Sequence, residues 1–362
     1  MVKSLYIHIP FCDGICSYCD FAKVFSNTFS HKKYLDVLLD EIKSLNIKED
    51  SLNTIYIGGG TPSCLTEEEL IYLLSYLNFH FKNVNEFTLE ANPESLSKEK
   101  IKICHKYGVN RISLGVQSVN DSILKYLNRQ HNKEAVKTVI KSLKDEGIDN
   151  FNLDFIYGIP SMSLDDLKDD LSFAKEMNSP HLSFYSLQIE EGTILGNNKT
   201  IPLSDEKMRN QYNYIVSYLN QLGYERYEIS NFAKKGYESQ HNLTYWHDLE
   251  YYAAGLSAAG YISNKRYTNT KSMTNYLKGK FNRDVSIISK EDEEFEFLML
   301  NLRLKNGFEL TKFKERFKKD FLTAYQNELK KVSDYVEINN GSFRIKDEYL
   351  YTMDNILLNI LK

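Results

Sequence analysis

The run SLYIHIPFCDGICSYCDF, residues 4–21, carries an alternating apolar stretch straight into a loop that holds Cys12, Cys16 and Cys19. Alternation over 4–10 reads as a β-strand with one face in a core. Five more strand-like runs follow at 54–59, 86–92, 111–117, 150–158 and 181–189. Between them lie amphipathic helical patterns. KKYLDVLLDEIKSL has apolar residues at 34, 35, 38, 39, 42 and 45, and KEAVKTVIKSLKDEG ends on Gly147. Thr66 with Glu69 three residues on predicts a capping box at the start of another helix. Strands alternating with helices in series predict a parallel sheet with its crossovers outside it, as a partial barrel or a doubly wound sheet.

The polar residues separate these two arrangements. In most units the chemically useful group falls near the strand's carboxyl end: the cysteines, then Gly58-Gly59-Gly60-Thr61, Glu90, Gln117 and Gln188, with Asp154 within the fifth strand. Side chains so placed converge at the mouth of a barrel. GGGTPS (58–63) lacks the G-x-G-x-x-G spacing of a dinucleotide fold and meets Pro62 before its helix. The expectation is an α/β fold: a partial (β/α)6 barrel over 1–200, an extension over 201–285, and a small α+β module over 286–362. In the last, helices precede YVEIN-NG-SFRIKD, whose Asn340-Gly341 signals a hairpin and gives the module a winged-helix-like order.

Lys and Arg total 45 against 49 Asp and Glu, a net charge of −4 with no strongly basic stretch, which argues against a nucleic-acid surface. No apolar run approaches the roughly 20 residues of a membrane span. A soluble, cytoplasmic protein is expected, with at most peripheral contact to membrane-bound partners. Five cysteines, three of them within one short loop, do not make a disulfide framework. Cys104 falls on the apolar face of a helix and reads as a buried thiol, and Cys64 has no ligand partner beside it.

Cys12-x3-Cys16-x2-Cys19 supplies thiolates, which select soft metals: an iron–sulfur cluster or zinc. A structural zinc site needs a fourth ligand, for which His8 and Asp20 are the near candidates. A three-cysteine cluster leaves one iron open to a small molecule.

The stretch YIHIPFCDGICSYCDF (6–21) resembles the CxxxCxxC signature of radical-SAM proteins, in the form seen in the oxygen-independent coproporphyrinogen III oxidase family. The likeness continues through GGGTPS (58–63), LEANPE (89–94), SLGVQS (113–118), LNRQH (127–131) and LDFIYGIP (153–160). It implies a radical-SAM barrel with a [4Fe-4S] cluster on the three cysteines and S-adenosylmethionine on the open iron. It further implies that Gly59, Gly60 and Thr61 approach the cofactor's methionine part, and that Glu90, Gln117, Arg129 and Asp154 hold cofactor. Tyr6 and Tyr18 match aromatic contacts, and Gln188 and Ala259 match by spacing.

Two departures bear on activity. The oxidase loop reads CxxxCxxCxC, whereas Phe21 stands at the last cysteine here, and only five residues precede Tyr6. Both features are similar to the heme-chaperone branch of the family, as is YEISNFAKKGYESQHNLTYW (227–246) with its HNxxYW motif. The resemblance implies heme held by His241, Asn242, Tyr245 and Trp246, with His247 an adjacent candidate. It also implies a hemoprotein acceptor, and a reductant if the cluster turns over. Whether such a chain is an enzyme stays open: the alternative is radical chemistry on coproporphyrinogen III or another tetrapyrrole.

Overall fold

A computed structural model describes residues 2–361. Six strands, β1 (Ser4–Ile9), β2 (Thr54–Gly59), β3 (Glu86–Ala91), β4 (Arg111–Gln117), β5 (Phe151–Tyr157) and β6 (His181–Ser186), pair in parallel with their sequence neighbours. Strands in sequence order with right-handed crossovers place every helix on one side, so the sheet curls into a partial barrel where a doubly wound order would lie open.

The strands alternate in a way that explains the lumen. Leu5, Ile7, Ile55, Ile57, Phe87, Leu89, Ile112 and Leu114 join one continuous core with the helices outside. The intervening positions bring Tyr6, Tyr56, Glu90, Ser113, Asn152 and Asp154 together within the barrel. Parallel strands covered on both faces by apolar layers read as continuous apolar runs; here one face is kept polar, as a ligand-holding lumen requires.

Helices α1 (His31–Ser44), α2 (Glu67–His80), α3 (Lys98–Lys106), α4 (Lys133–Asp145) and α5 (Leu164–Met177) form the outer layer. Their starts follow the sequence cues: Thr66 and Glu69 make the reciprocal capping box of α2. The left-handed φ of +82° at Gly147 suits the turn after α4.

Beyond Asp205–Gln221, labelled α6, the chain completes both sheet edges. β7 (Glu225–Arg226) and β8 (Asn231–Ala233) add antiparallel strands beside β6, and β9 (Tyr252–Ala254) adds a parallel strand beside β1. Between them, α7 (Gln240–Trp246) seals the barrel's amino-terminal end: Ser4 at the start of β1 meets Thr244 at 2.9 Å, and Glu86 at the start of β3 accepts from the His241 backbone N–H at 2.9 Å. Residues from 290 on build a second core around Phe297, Phe308, Phe313, Phe321 and Phe343. That module combines helices with a three-stranded sheet, including the hairpin Val336–Asn339 and Ser342–Ile345 turning on Asn340 and Gly341, both at positive φ.

Candidate functional site

The cysteine loop leaves β1 at the barrel mouth and is tied down from three sides. Asn128 Nδ2 donates to the Ile15 carbonyl at 2.7 Å, and Ser17 bonds the Tyr126 and Leu127 carbonyls. His8 Nε2 bonds the Ala22 carbonyl at 2.7 Å, so its Nδ1 accepts from the Tyr6 hydroxyl at 3.0 Å. His8 is thus an internal strut for the loop and supplies no ligand.

The three thiols each face a donor or cation. Thr61 Oγ1 lies 3.5 Å from Cys12 Sγ and Arg129 Nη1 lies 3.4 Å from Cys16 Sγ, while Lys23, whose ammonium bonds the Cys19 carbonyl at 2.6 Å, brings its charge near the Cys19 thiol. Burial pushes the Cys12 thiol up to about 11, against the lowering pull of Thr61; a bound metal would hold such a group as thiolate. All five cysteines are free. Among the described residues no three His, Cys, Asp or Glu side chains converge at single-ion spacing. Thiolates that occupy separate corners of a cluster do not need to. The all-sulfur donor set, with hydrogen-bond donors aimed at sulfur, fits a [4Fe-4S] cluster.

Opposite the thiols, the glycine loop presses against the end of β1, with Gly60 N–H donating to the Ile9 carbonyl and Thr61 N–H to the Phe11 carbonyl, each at 2.8 Å. Gly59 has φ +117°, and a Cβ there would stand 2.6 Å from the His8 ring, so no other residue fits without displacing that strut. Glu90 accepts from Gly59 N–H at 3.0 Å and from the Tyr56 hydroxyl at 2.7 Å. Burial raises the Glu90 carboxyl to about 7, only partly offset by the Tyr56 bond.

Arg129 also reaches Asn92 Oδ1 at 2.8 Å and the Gly115 carbonyl at 3.0 Å, while its buried Nε has no partner among the described residues. The fixed guanidinium, ion-paired with Glu94 at 3.7 Å, keeps one unbonded N–H that suits an anionic ligand group. Gln117 ends β4 beside a break in register and holds φ +63°, a left-handed strain for a side chain of its kind. Asp154 accepts from Ser113 at 2.9 Å and Asn152 at 2.7 Å, and burial raises its pKa. Tyr18 packs against the core near Cys16 and Arg129, and burial raises its hydroxyl pKa. Gln188 and Ala259 are both exposed, and Gln188 bonds Ser186 at 2.8 Å.

The HNxxYW segment lies elsewhere, on α7 at the opposite end of the barrel. His241 is fully buried. Its Nδ1 bonds Thr54 Oγ1 at 2.8 Å, its Nε2 bonds the Tyr245 hydroxyl at 2.8 Å, and its ring stacks on Tyr56 at 5.1 Å. Burial, with the nearby charge of Arg111, pushes the imidazole down to about 3. In this structure both ring nitrogens of His241 are bonded to hydroxyls, so iron ligation there would take the place of the Thr54 or the Tyr245 bond. Asn242 and Trp246 are half-buried, with Arg303 over the Trp246 ring at 5.6 Å. Arg111, which sequence reading passed over, is fully buried at the start of β4.

The model of the radical SAM superfamily matches residues 6–174, and that of the HemN C-terminal domain matches 288–348. The heme chaperone HemW of Lactococcus lactis is 38% identical, covering 95% of this chain and 92% of its own length. The heme chaperone HemW of Bacillus subtilis is 36% identical, covering 94% and 93%. The chain belongs to the HemW family. Its fold is also that of a solved structure of coproporphyrinogen III oxidase (HemN) from Escherichia coli, described as a radical SAM enzyme, with a TM-score of 0.86 at 20% identity over 100% of this chain and 90% of that one. Family membership carries with it the radical-SAM [4Fe-4S] cluster and S-adenosylmethionine. No helix among the described residues is long and apolar enough to cross a membrane.

Proposed function

We propose that this protein is a cytoplasmic heme chaperone, which binds heme and passes it to an acceptor hemoprotein. The observation that carries the reading is the pair of relatives at 38% and 36% identity over almost the whole chain, both named heme chaperones. Cys12, Cys16 and Cys19 would hold the cluster. Tyr6, Tyr18, Gly59, Gly60, Thr61, Glu90, Gln117, Arg129 and Asp154 would hold S-adenosylmethionine, with exposed Gln188 and Ala259 at most peripheral. When bound, cluster and cofactor together supply one-electron chemistry.

The chain's own residues account for the rest. The glycines let backbone come close to ligand, Glu90 fixes the Gly59 amide, and Arg129 neutralises both a thiolate and a ligand anion. Phe21, 64% exposed, occupies the place of the oxidase's further cysteine and offers no ligand. The barrel over 1–200 would carry cluster and cofactor, the extension over 201–285 the heme-binding HNxxYW segment, and 286–362 would form the winged-helix-like module. His241, Asn242, Tyr245 and Trp246, the HNxxYW segment on α7, would hold heme.

The test is anaerobic reconstitution followed by incubation with coproporphyrinogen III, S-adenosylmethionine and reductant. The chaperone reading expects no decarboxylated product and no substrate-dependent 5′-deoxyadenosine. Product formation at many turnovers would make the chain an oxidase.

A further inference from the structure

We propose that Glu94 and His131 are positioning residues for Arg129, and that together they set how much of its charge reaches a ligand carboxylate at the barrel mouth. The proposal rests on Arg129 holding S-adenosylmethionine and adds the groups that govern it.

Local structure brings the three side chains together. The short helix Asp121–Tyr126 ends against the cysteine loop, where Asn128 turns the chain at φ +57° and bonds the Ile15 carbonyl. Burial then alternates: Arg129 and His131 face inward, whereas Asn128, Gln130 and Asn132 are exposed. Side chains two apart in such a stretch share one side. Both meet the loop after β3, Arg129 through Asn92 and Glu94, His131 through Glu94 alone.

Glu94 is divided between two cations. Its Oε2 lies 3.3 Å from His131 Nδ1 and 3.7 Å from Arg129 Nη2. The contact with His131 is ionic, without the alignment of a hydrogen bond. At the other edge of the ring, Nε2 donates to the Val116 carbonyl of β4 at 3.0 Å. With an acceptor before each nitrogen, the doubly protonated ring is the form that suits the site, since a lone pair on Nδ1 would face a carboxylate. Burial works to raise the Glu94 carboxyl, but His131 and then Arg129 hold it below its ordinary value, so it stands as a carboxylate.

This division decides what Arg129 can offer. The Arg129 side chain is 3% exposed, so water screens its charge little, whereas the Glu94 side chain is 27% exposed and free to lean toward either partner. Nη1 faces Cys16, Nη2 serves Asn92 and the Gly115 carbonyl, and Nε is unbonded. A carboxylate drawn to His131 leaves the guanidinium's charge to a ligand anion; one seated wholly on Arg129 neutralises it.

The test is equilibrium binding of S-adenosylmethionine to the cluster-reconstituted full chain, with iron content and circular dichroism confirming matched, folded samples. His131→Gln should weaken binding and Glu94→Gln should tighten it, each by about threefold, the scale of a partly exposed ion pair. The double variant should behave as Glu94→Gln alone, because His131 acts through Glu94. In an Arg129→Met background neither change should alter binding. 5′-Methylthioadenosine, which lacks the carboxylate, should bind every variant as it binds the wild type. Weaker or unchanged binding in Glu94→Gln, additive effects in the double variant, or effects that persist without Arg129 would overturn the proposal and leave the role of Arg129 intact. If Arg129→Met alone binds S-adenosylmethionine as the wild type does, the proposal and the assignment of Arg129 fall together.

Discussion

Replacing His241 with Ala should destabilise the fold by about 4 kcal/mol at pH 8, because the imidazole acts as a keystone between α7 and the barrel. Its two hydrogen bonds, to Thr54 and Tyr245, contribute about 1 kcal/mol each. Removing a fully buried ring that stacks on Tyr56 leaves a void, and such truncations cost about 2–5 kcal/mol, the lower part applying where neighbours relax. The effect should also depend on pH in a definite direction. The native imidazole titrates at about 3, below its ordinary 6.5. Above 6.5 both states are neutral. As pH falls from 6.5 toward 3, the unfolded chain takes a proton that the native one refuses, so wild-type stability drops by about 1.4 kcal/mol per unit. At pH 5 that loss is about 2 kcal/mol, and the variant does not share it. The difference between the two proteins should therefore shrink from about 4 kcal/mol at pH 8 to about 2 kcal/mol at pH 5, in urea unfolding followed by near-ultraviolet circular dichroism. A difference under about 1 kcal/mol at pH 8, or one that does not vary with pH, would refute the keystone role.

Two other substitutions probe the barrel mouth. Gly59→Ala forces a side chain into a φ of +117° and into the His8 ring, so it should lower stability by about 1–3 kcal/mol and reduce iron content after reconstitution; full iron loading at unchanged Tm would argue against the strut. Arg129→Met keeps the stem but removes the charge beside Cys16. The cluster should become harder to reduce and S-adenosylmethionine affinity should fall about tenfold; an unmoved midpoint in an EPR-monitored redox titration would separate Arg129 from the thiolate.

The barrel was legible in the sequence because its strands are long enough to show a period and its helices carry their own caps. The runs at 54–59 and 111–117 are strands over their whole length, and Thr66 caps α2 as its spacing predicts. The run at 181–189 ends as a strand at Ser186, since Gln188 has left the sheet and is exposed. β7, β8 and β9, at two or three residues each, are too short for any period, and the Ala-rich β9 becomes a strand only by docking on β1. Motif reading found the cysteines and the glycine loop because their chemistry is local. It could not read the packing of His241, because that depends on Thr54, far away in sequence, which bonds one nitrogen while Tyr245 bonds the other. Arg111 was invisible for the same reason: at the start of a strand it reads as a polar flank, and only closure of the barrel buries it.

The central claim, that the chain carries heme for delivery, is tested most directly by mixing the heme-loaded, cluster-reconstituted protein with an excess of an apo-hemoprotein and following the acceptor's own Soret band. The account predicts transfer that saturates at the amount of bound heme and runs faster than from an equal concentration of heme on serum albumin. Heme that stays on the chain, or that reaches the acceptor no faster than from albumin, would contradict it.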